Sequence, residues 1–441
     1  MKKIKLSPFA IVALSFFTII LVGTFLLKLP ISTKEGVDPL SWVDSLFLST
    51  SAVCVTGLST IPNIAETLSI FGKVILASLI QIGGLGIVTL AIYVLVVLGI
   101  KIGVTERYII KEALNQHHLG GMVKLVRSII FTSLIIESFG LILNFIVFIQ
   151  EFDFLEALGH AAFHTISSFN NAGFDILGST SLQNYNANIL LNINTMIMIV
   201  IGGMGFIVIR DIVDKKSWKN LSLYSKIVLK TTLFLIVLGT LVIKLFEYNN
   251  ISWLEAIFTS ITTRTAGFST VNISGFSYMT LVVIMIFMFI GASPNSTGGG
   301  IKTTTVYVMY RSITSFLMGK PFITHKRKVE DQNKNKAFVL VTLAFTVTIF
   351  IFLVISAIET KNTTYNMTFI EVLFETFSAF GTVGLSMGIT PYLMPASKVI
   401  LSMLMFIGRL GPITIFGIMN KNWGHPEVSH INYPVERILV G

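Results

Sequence analysis

Charged residues are scarce in this chain. Asp, Glu, Lys and Arg make up 12% of its 441 residues, whereas apolar residues make up 53%. A soluble domain carries about twice that share of charge. The deficit excludes a soluble globular protein and predicts an all-α, polytopic membrane protein. The 35 phenylalanines suit lipid-facing surfaces and interfacial belts.

Cysteine is also nearly absent. Cys54 is the only one, so an intrachain disulfide and any metal site built from several cysteines are excluded. Low-complexity tracts and a linker that would divide the chain are lacking as well. We therefore predict no separate soluble domain.

Basic residues outnumber acidic residues, 32 to 22, and the formal net charge is +10. The excess follows the loops near 101–128, 214–230 and 311–336, so we expect no nucleic-acid partner. Basic loops stay in the cytosol. We therefore predict a protein of the cytoplasmic membrane with both termini on the cytosolic side. Residues 1–29 are read as the first membrane helix, because no signal-peptide cleavage site follows their apolar stretch.

Four short interruptions of the apolar sequence share one pattern. Each is a run of small and polar residues that ends in glycine followed by leucine or phenylalanine. These runs are 53–58, 169–174, 263–268 and 381–385, with Gly57, Gly173, Gly267 and Gly384. A half-helix too short to cross a bilayer is predicted before each run, over 39–52, 154–168, 252–262 and 368–379. The flanking spans, all predicted to reach membrane length, are 8–29 and 69–99, 129–149 and 187–212, 227–247 and 276–316, and 337–358 and 395–419.

The four runs predict a cation filter. Irregular backbone survives in a bilayer only where it is buried in protein or lines a wet cavity. Four such loops around one axis would present carbonyl oxygens that replace the hydration shell of a monovalent cation. Glycine has no Cβ and adopts positive φ readily, so these loops can aim successive carbonyls inward. The predicted filter residues are Val55, Thr56, Gly57, Asn170, Asn171, Ala172, Gly173, Arg264, Thr265, Ala266, Gly267, Thr382, Val383 and Gly384.

The half-helices also carry a common signal. Three begin with an aromatic residue, an acidic residue two positions later and Phe three positions after that, as in Trp42, Asp44 and Phe47. The second half-helix is looser and keeps Phe163 at the matching distance before its glycine. A carboxylate in the first turn suits a helix N-terminus, and the opposite ends would direct partial negative charge at the axis.

A second repeated pattern follows each filter loop, where Ile-Gly recurs at 82–86, 201–205, 290–294 and 407–411. Small residues let backbones approach closely or mark a kink. The third copy runs into 291–300, where an intact helix is not expected because Pro294 removes a backbone donor. The fourth places Arg409 inside the membrane. A charge there is functional by default, although capping of helix ends is the structural alternative.

With these motifs the chain resembles the Trk/Ktr/HKT superfamily of potassium transporters, and most closely the ion-translocating membrane subunit of a Ktr system. The resemblance also rests on the tail Pro434-Val435-Glu436-Arg437 and on a first repeat that begins almost at once. It implies four repeats of membrane helix, pore loop and membrane helix around a pseudo-fourfold pore, with eight membrane helices. The repeats are predicted at 1–100, 101–213, 214–320 and 321–441.

The same resemblance implies potassium uptake across the cytoplasmic membrane, with K+ bound at the four loop glycines. Serine at the first glycine tends to accompany sodium permeation in the family, so glycine implies potassium selectivity. Arg409 and an intramembrane loop would form the gate. The loop residues are Gly291, Ala292, Ser293, Pro294, Asn295, Ser296, Thr297, Gly298, Gly299 and Gly300. A homodimer, surrounding lipid and a separate cytosolic ring of nucleotide-binding regulatory subunits are implied partners. No covalent cofactor is expected, nucleotide would act only through the partner, and a role for Na+ as activator stays open.

Other residues allow two interpretations. Arg264 would repel a cation on the axis, so we expect it to point away and brace its loop. His160 and His164 have a spacing that can bind metal, but no glutamate lies between them as in zinc proteases. Glu137 could relay protons or simply pack within the bundle.

Sequence signals for other functions are weaker. The run from Gly298 to Thr303 only approximates a phosphate loop, and Ser293 is a weak signal for an intramembrane protease. A secondary carrier for another small cation or solute remains the alternative, although inverted repeats would be expected there and these repeats share one orientation.

Cys54 lies in a filter loop, so a thiol reagent should reach it only from outside if it is exposed.

Overall fold

The computed structural model describes residues 8–100, 102, 103, 106, 107, 109, 111, 120–324 and 327–411. In this part of the chain the structure repeats one unit four times, each with a first helix, a pore helix and a second helix. The first helices are Pro8–Lys28, Met122–Phe148, Leu223–Phe246 and Asp331–Glu359. The pore helices are Trp42–Val53, Phe154–Phe169, Trp253–Thr262 and Phe369–Gly381. The second helices are Ile70–Leu85, Ile189–Met204, Tyr278–Phe289 and Pro395–Leu410.

Smaller elements connect these units. A four-residue helix, Ile64–Thr67, follows the first filter loop. Helices Ile87–Val97, Phe206–Lys215 and Thr303–Leu317 follow the first three second helices. A short antiparallel hairpin, Ile323–Thr324 with Arg327–Lys328, pairs Ile323 with Lys328.

The first helices face lipid. Each contains an apolar window of 18 residues of which at most 33% is buried. They reach 21, 27, 24 and 29 residues, and about 20 residues suffice to cross a bilayer. The predicted all-α polytopic class is confirmed.

The second helices correct the sequence prediction. In the described residues four helices are long and apolar enough to cross a membrane, or six if each bent pair counts as one span. The second helices have only 16, 16, 12 and 16 residues. The predictions of single spans over 69–99 and 187–212 are wrong, because the chain turns by 94° and 96° between the two helices of each pair.

Glycine in the left-handed region causes these bends. Gly86 has φ +85° and Gly205 has φ +92°, and each separates the two helices of a bent pair. Gly411, with φ +83°, ends the fourth second helix in the same way. The C-terminal ends of these helices were not recognised in the sequence, because apolar residues continue after each glycine. Residues 412–419 of the predicted last span and the tail 434–437 lie outside the described residues.

Three of the four pore helices, all except Phe154–Phe169, begin with side-chain caps, as their acidic first turns suggested. Ser252 with Glu255 and Thr368 with Glu371 form capping boxes, in which each side chain satisfies a backbone N–H of the other residue. In the first pore helix Ser41 accepts the N–H of Asp44 at 3.1 Å. Each of these caps fixes where a half-helix starts.

The repeats close into a ring. The second helix of each repeat packs on the pore helix of the next, and the fourth packs on the first pore helix. An ion pair of 2.9 Å between Lys398 and Asp44 joins repeats four and one at this closure. Buried apolar clusters lie at the junctions between successive repeats. The core therefore surrounds an axis on which the four loops converge.

Candidate ion pathway

The four loop glycines form a tight ring. Their φ values are +98°, +69°, +84° and +92° in chain order. A Cβ added to Gly57 would lie 2.5 Å from the carbonyl oxygen of Ala172, and one added to Gly173 would lie 2.6 Å from that of Ala266. A Cβ added to Gly267 would lie 2.5 Å from the Val383 carbonyl oxygen, and one added to Gly384 would lie closer still to the Thr56 carbonyl oxygen. Each glycine thus faces a carbonyl of the neighbouring loop, and no side chain fits between them.

A second backbone feature repeats in each loop. The residue two positions before the glycine also has positive φ although it is not glycine: Val55, Asn171, Thr265 and Thr382, with φ of 58°, 58°, 71° and 49°. This conformation costs roughly 1–2 kcal/mol for an L-residue. The residue between the two is not left-handed. Such alternation turns successive carbonyls toward one side of the chain, which the glycine spacing alone did not indicate.

Hydrogen bonds from the pore helices hold these strained loops. Gly57 donates its N–H to the Ser51 hydroxyl and Gly384 donates to the Ser378 hydroxyl, both at 3.1 Å. In the third loop the Thr262 hydroxyl donates to the Phe268 carbonyl at 2.7 Å. The backbone of these three loops is therefore tied to the pore helix of its own repeat.

Close backbone approach explains the glycines of the second helices. A Cβ on Gly83, Gly202 or Gly408 would collide with the carbonyl oxygen of Val53, Phe169 or Phe380, at the C-terminal end of a pore helix. Gly84 lies against the Asn170 side chain. These positions pack the second helices behind the filter loops.

On one side, the ring opens into a cavity of about 380 Å³, which we call the mouth. All four loop glycines contribute to its wall, together with hydroxyl groups such as Ser59, Ser269 and Ser386. Asp175 is the only charged residue in this lining. It was not among the predicted site residues, although it stands only two positions after Gly173.

The loop 291–300, which was predicted to form the gate and is called the gate loop here, lies on the opposite side of the ring. The Gly299 N–H donates to the Thr382 hydroxyl at 3.0 Å. A Cβ on Gly298 would collide with Thr265. The loop also contacts repeats two and four through backbone bonds from Thr297 to Gly202 and from Gly300 to Gly408, of 3.3 and 3.2 Å. It therefore crosses beneath the ring.

Two cations hold the gate loop. Arg409 donates to the carbonyls of Thr297 and Gly83, and Lys302 donates to those of Gly298 and Gly299 at 2.7 and 3.4 Å. Lys302 was not among the residues predicted for the gate from the sequence. Its only signal was a cation directly after the glycine run of an intramembrane break.

Asn170 supports the filter from behind. Its amide donates to the Gln81 side chain at 2.7 Å and to Glu137 at 3.5 Å, while Gln81 donates to Glu137 at 2.8 Å. Glu137 is 9% exposed. Of the two interpretations of Glu137, this geometry favours packing within the bundle, here as the acceptor of a polar network.

Arg264 extends away from the ring. Its guanidinium is buried and lies 3.5 Å from the Thr232 hydroxyl on the first helix of its repeat. This places its charge behind the third loop rather than on the axis.

The residues that suggested other chemistry have ordinary partners. His164 bonds Thr195 at 2.8 Å and packs on Phe268, and in the described residues no three His, Cys, Asp or Glu side chains could hold a metal together. Ser293 bonds the Thr303 hydroxyl at 3.0 Å rather than a base. Cys54 is fully buried, so the expected access from outside is not available.

Together, a bundle of repeated membrane helices and a ring of backbone carbonyls define an ion-transporting membrane protein rather than an enzyme. The sequence profile of the family TrkH, described as cation transport protein, matches residues 8–423. The chain therefore belongs to the TrkH family of cation transport proteins, as its motifs predicted.

Curated relatives match over nearly their whole length. Ktr system potassium uptake protein B of Bacillus subtilis is 36% identical, over 100% of this chain and 98% of that protein. Potassium/sodium uptake protein NtpJ of Enterococcus hirae is 35% identical, over 99% and 98%. The solved structure of the potassium transporter TrkH from Vibrio parahaemolyticus has a TM-score of 0.72 at 18% identity, covering 96% of this chain and 87% of that one. This last likeness supports the fold alone.

Proposed function

We propose that this chain is the ion-translocating subunit of a potassium uptake system in the cytoplasmic membrane. The observation that carries the proposal is the ring in which each loop glycine faces a carbonyl of the next loop. Potassium is the ion named for the Bacillus subtilis relative. Membership of the TrkH family supplies cation transport as the class.

In this proposal the loop carbonyls select the ion. A dehydrated K+ would exchange its waters for carbonyl oxygens of residues 55–57, 171–173, 265–267 and 382–384. Carbonyl rings stabilise a monovalent cation without binding it so tightly that it cannot leave. The C-terminal ends of the four pore helices add partial negative charge at the same place. The filter therefore needs no carboxylate of its own.

The gate loop would close the pathway beneath the filter. Arg409 and Lys302 bring two positive charges to its carbonyls, and Thr382 fastens Gly299 to the filter. A cation leaving the filter would meet both a steric and an electrostatic barrier. Opening would require these bonds to break together, so the open arrangement of the loop must offer replacement contacts of similar free energy for a partner to switch it.

The switch is proposed to come from a cytosolic partner. The basic loops favour a cytosolic position for both termini, on the side from which such a partner would act. A separate ring of nucleotide-binding subunits, bound to a homodimer of this chain, would move the gate loop. Nucleotide should thus change flux only when that ring is present.

Ion flux into liposomes that contain the purified chain tests the transport proposal. Potassium and rubidium should enter faster than sodium, and empty liposomes should show neither flux. A second arm adds the regulatory subunit of a Ktr system with or without nucleotide. Absence of potassium flux in both arms would overturn the proposal.

A second candidate is coupled entry of sodium with potassium. It is favoured by the name of the Enterococcus hirae relative, which includes both ions. Coupled entry predicts that an inward sodium gradient drives potassium against its own gradient. A pore predicts that potassium only follows its electrochemical gradient, so the same liposomes decide between the two.

A further inference from the structure

The mouth combines a ring of neutral walls with one carboxylate. Its lining consists of glycine, hydroxyl, amide and apolar residues apart from Asp175. Asp175 is half-buried and its Oδ1 accepts the N–H of Leu177 at 3.2 Å. This turn fixes the carboxylate beside the entrance to the filter.

Neighbouring loops stabilise that position. Ser181, which interacts with Asp175, also accepts the N–H of Ser269 from the third loop at 3.2 Å. The carboxylate is thus tied to two of the four loops that surround the mouth. Low-dielectric walls around a fixed charge focus its field into the cavity and raise the local counter-ion concentration.

We propose that Asp175 is a capture site that draws a hydrated alkali cation into the mouth before the cation enters the filter. The inference rests on the proposed function and adds a residue to it. The filter carbonyls are neutral, so the Asp175 carboxylate supplies the only full charge in this lining. Because it acts before selection, it should govern how readily the ion is collected and not which ion is preferred.

External protons should compete with the captured cation. Burial raises the pKa of Asp175 to about 6, against the opposite effect of its bonds from Leu177 and Ser181. The carboxylate is therefore charged above about pH 6 and loses its charge as the pH falls below that value.

Other titratable groups around the mouth do not enter its lining. Glu66 stands exposed on the short helix 64–67. Glu375 is buried behind the fourth loop, where it accepts the Thr390 hydroxyl. His164 is buried behind Phe268. The pH response of capture should thus follow Asp175.

The test compares Asp175→Asn with Asp153→Asn in liposomes containing the full chain. Asparagine can still accept the Leu177 N–H, so it removes the charge and keeps the turn. Asp153 is exposed, caps the second pore helix without a side-chain bond and does not line the mouth. It therefore controls for loss of one carboxylate in the same repeat.

At about pH 7.5, Asp175→Asn should raise the half-saturating potassium concentration on the order of three- to tenfold, with the maximal rate unchanged. Wild type should show a similar rise on going from about pH 7.5 to about pH 5, whereas the variant should not respond. Asp153→Asn should match wild type at both values.

Two results separate the inference from the proposed function. If wild type transports potassium and Asp175→Asn keeps its half-saturating concentration, the capture site is refuted; a defect seen with Asp175→Ala alone would then mean that the turn matters rather than the charge. If wild type carries no potassium at all, the proposed function fails, and the inference that rests on it is overturned too.

Discussion

Gly57→Ser is the most direct test of the filter, because it places a side chain where the structure leaves room for none. The new Cβ would lie 2.5 Å from the Ala172 carbonyl oxygen and 3.1 Å from the Gly173 Cα. Both atoms belong to the neighbouring filter loop. The substitution therefore changes the ring itself rather than its surroundings.

The size of the effect follows from these distances. Ordinary contact begins at 3.4 Å, so the Cβ and the Ala172 oxygen must separate by about 0.9 Å more than they do now. Serine also meets φ +98° at this position, which costs roughly 1–2 kcal/mol. A tenfold change in ion preference corresponds to about 1.4 kcal/mol. We expect the preference for potassium over sodium to fall by at least about tenfold.

The assay is competition between potassium and sodium for rubidium uptake by liposomes. Gly36→Ser is the matched control, because Gly36 has φ +82° but no atom within 4 Å of an added Cβ. It carries a similar backbone strain without moving a filter carbonyl. Folding of both variants is checked by their thermal unfolding in detergent.

Retention of the wild-type preference by a folded Gly57→Ser protein would refute this reasoning, because the filter would then tolerate a displaced carbonyl. An equal loss of preference in Gly36→Ser would also refute it, since backbone strain alone would be the cause.

Three further predictions concern residues around the filter. Arg409→Ala frees the Thr297 carbonyl and should raise basal potassium flux and weaken its control by the regulatory subunit, whereas Arg409→Lys should do so less; unchanged flux and control in the alanine variant would place the gate elsewhere. Cys54 is fully buried, so an impermeant maleimide should label it only after denaturation, and labelling of the native protein from either side would contradict the packing of the first loop. Glu137→Leu leaves the Asn170 network without its acceptor at a cost of about 1–3 kcal/mol, and should lower the unfolding temperature and the transport rate more than Glu137→Gln; equal behaviour of the two would mean that the network does not support the loop.

Much of the architecture was predictable because its signals are local. Apolar runs located the first helices, although in the structure the second and fourth begin at Met122 and Asp331, earlier than the predicted 129 and 337. Acidic first turns located the pore helices to within a few residues, since caps act on the nearest backbone N–H groups. The repeated glycines indicated where the chain leaves helical geometry in the membrane. These features depend on residues close together in the sequence.

The bends after the first two second helices were not predictable from composition. Apolar residues continue on both sides of Gly86 and Gly205, so hydropathy predicts a single span. In the structure the backbone turns through about a right angle at each glycine. A glycine in a membrane helix permits either packing or a left-handed break. At Gly205 the break lies against the Pro294 carbonyl of the third repeat, a contact that composition does not reveal.

A helical membrane protein of four repeats with four glycine loops was predictable, because hydropathy, caps and glycine spacing are local properties of the chain. The tertiary structure shows which distant groups meet. Arg409 reaches Thr297 112 residues away, Lys398 reaches Asp44 354 residues away, and Asn170 reaches Gln81 89 residues away. It also placed Asp175 in the mouth and Lys302 on the gate loop. Such partnerships arise when the ring closes, and no local pattern encodes the distance between residues on different repeats.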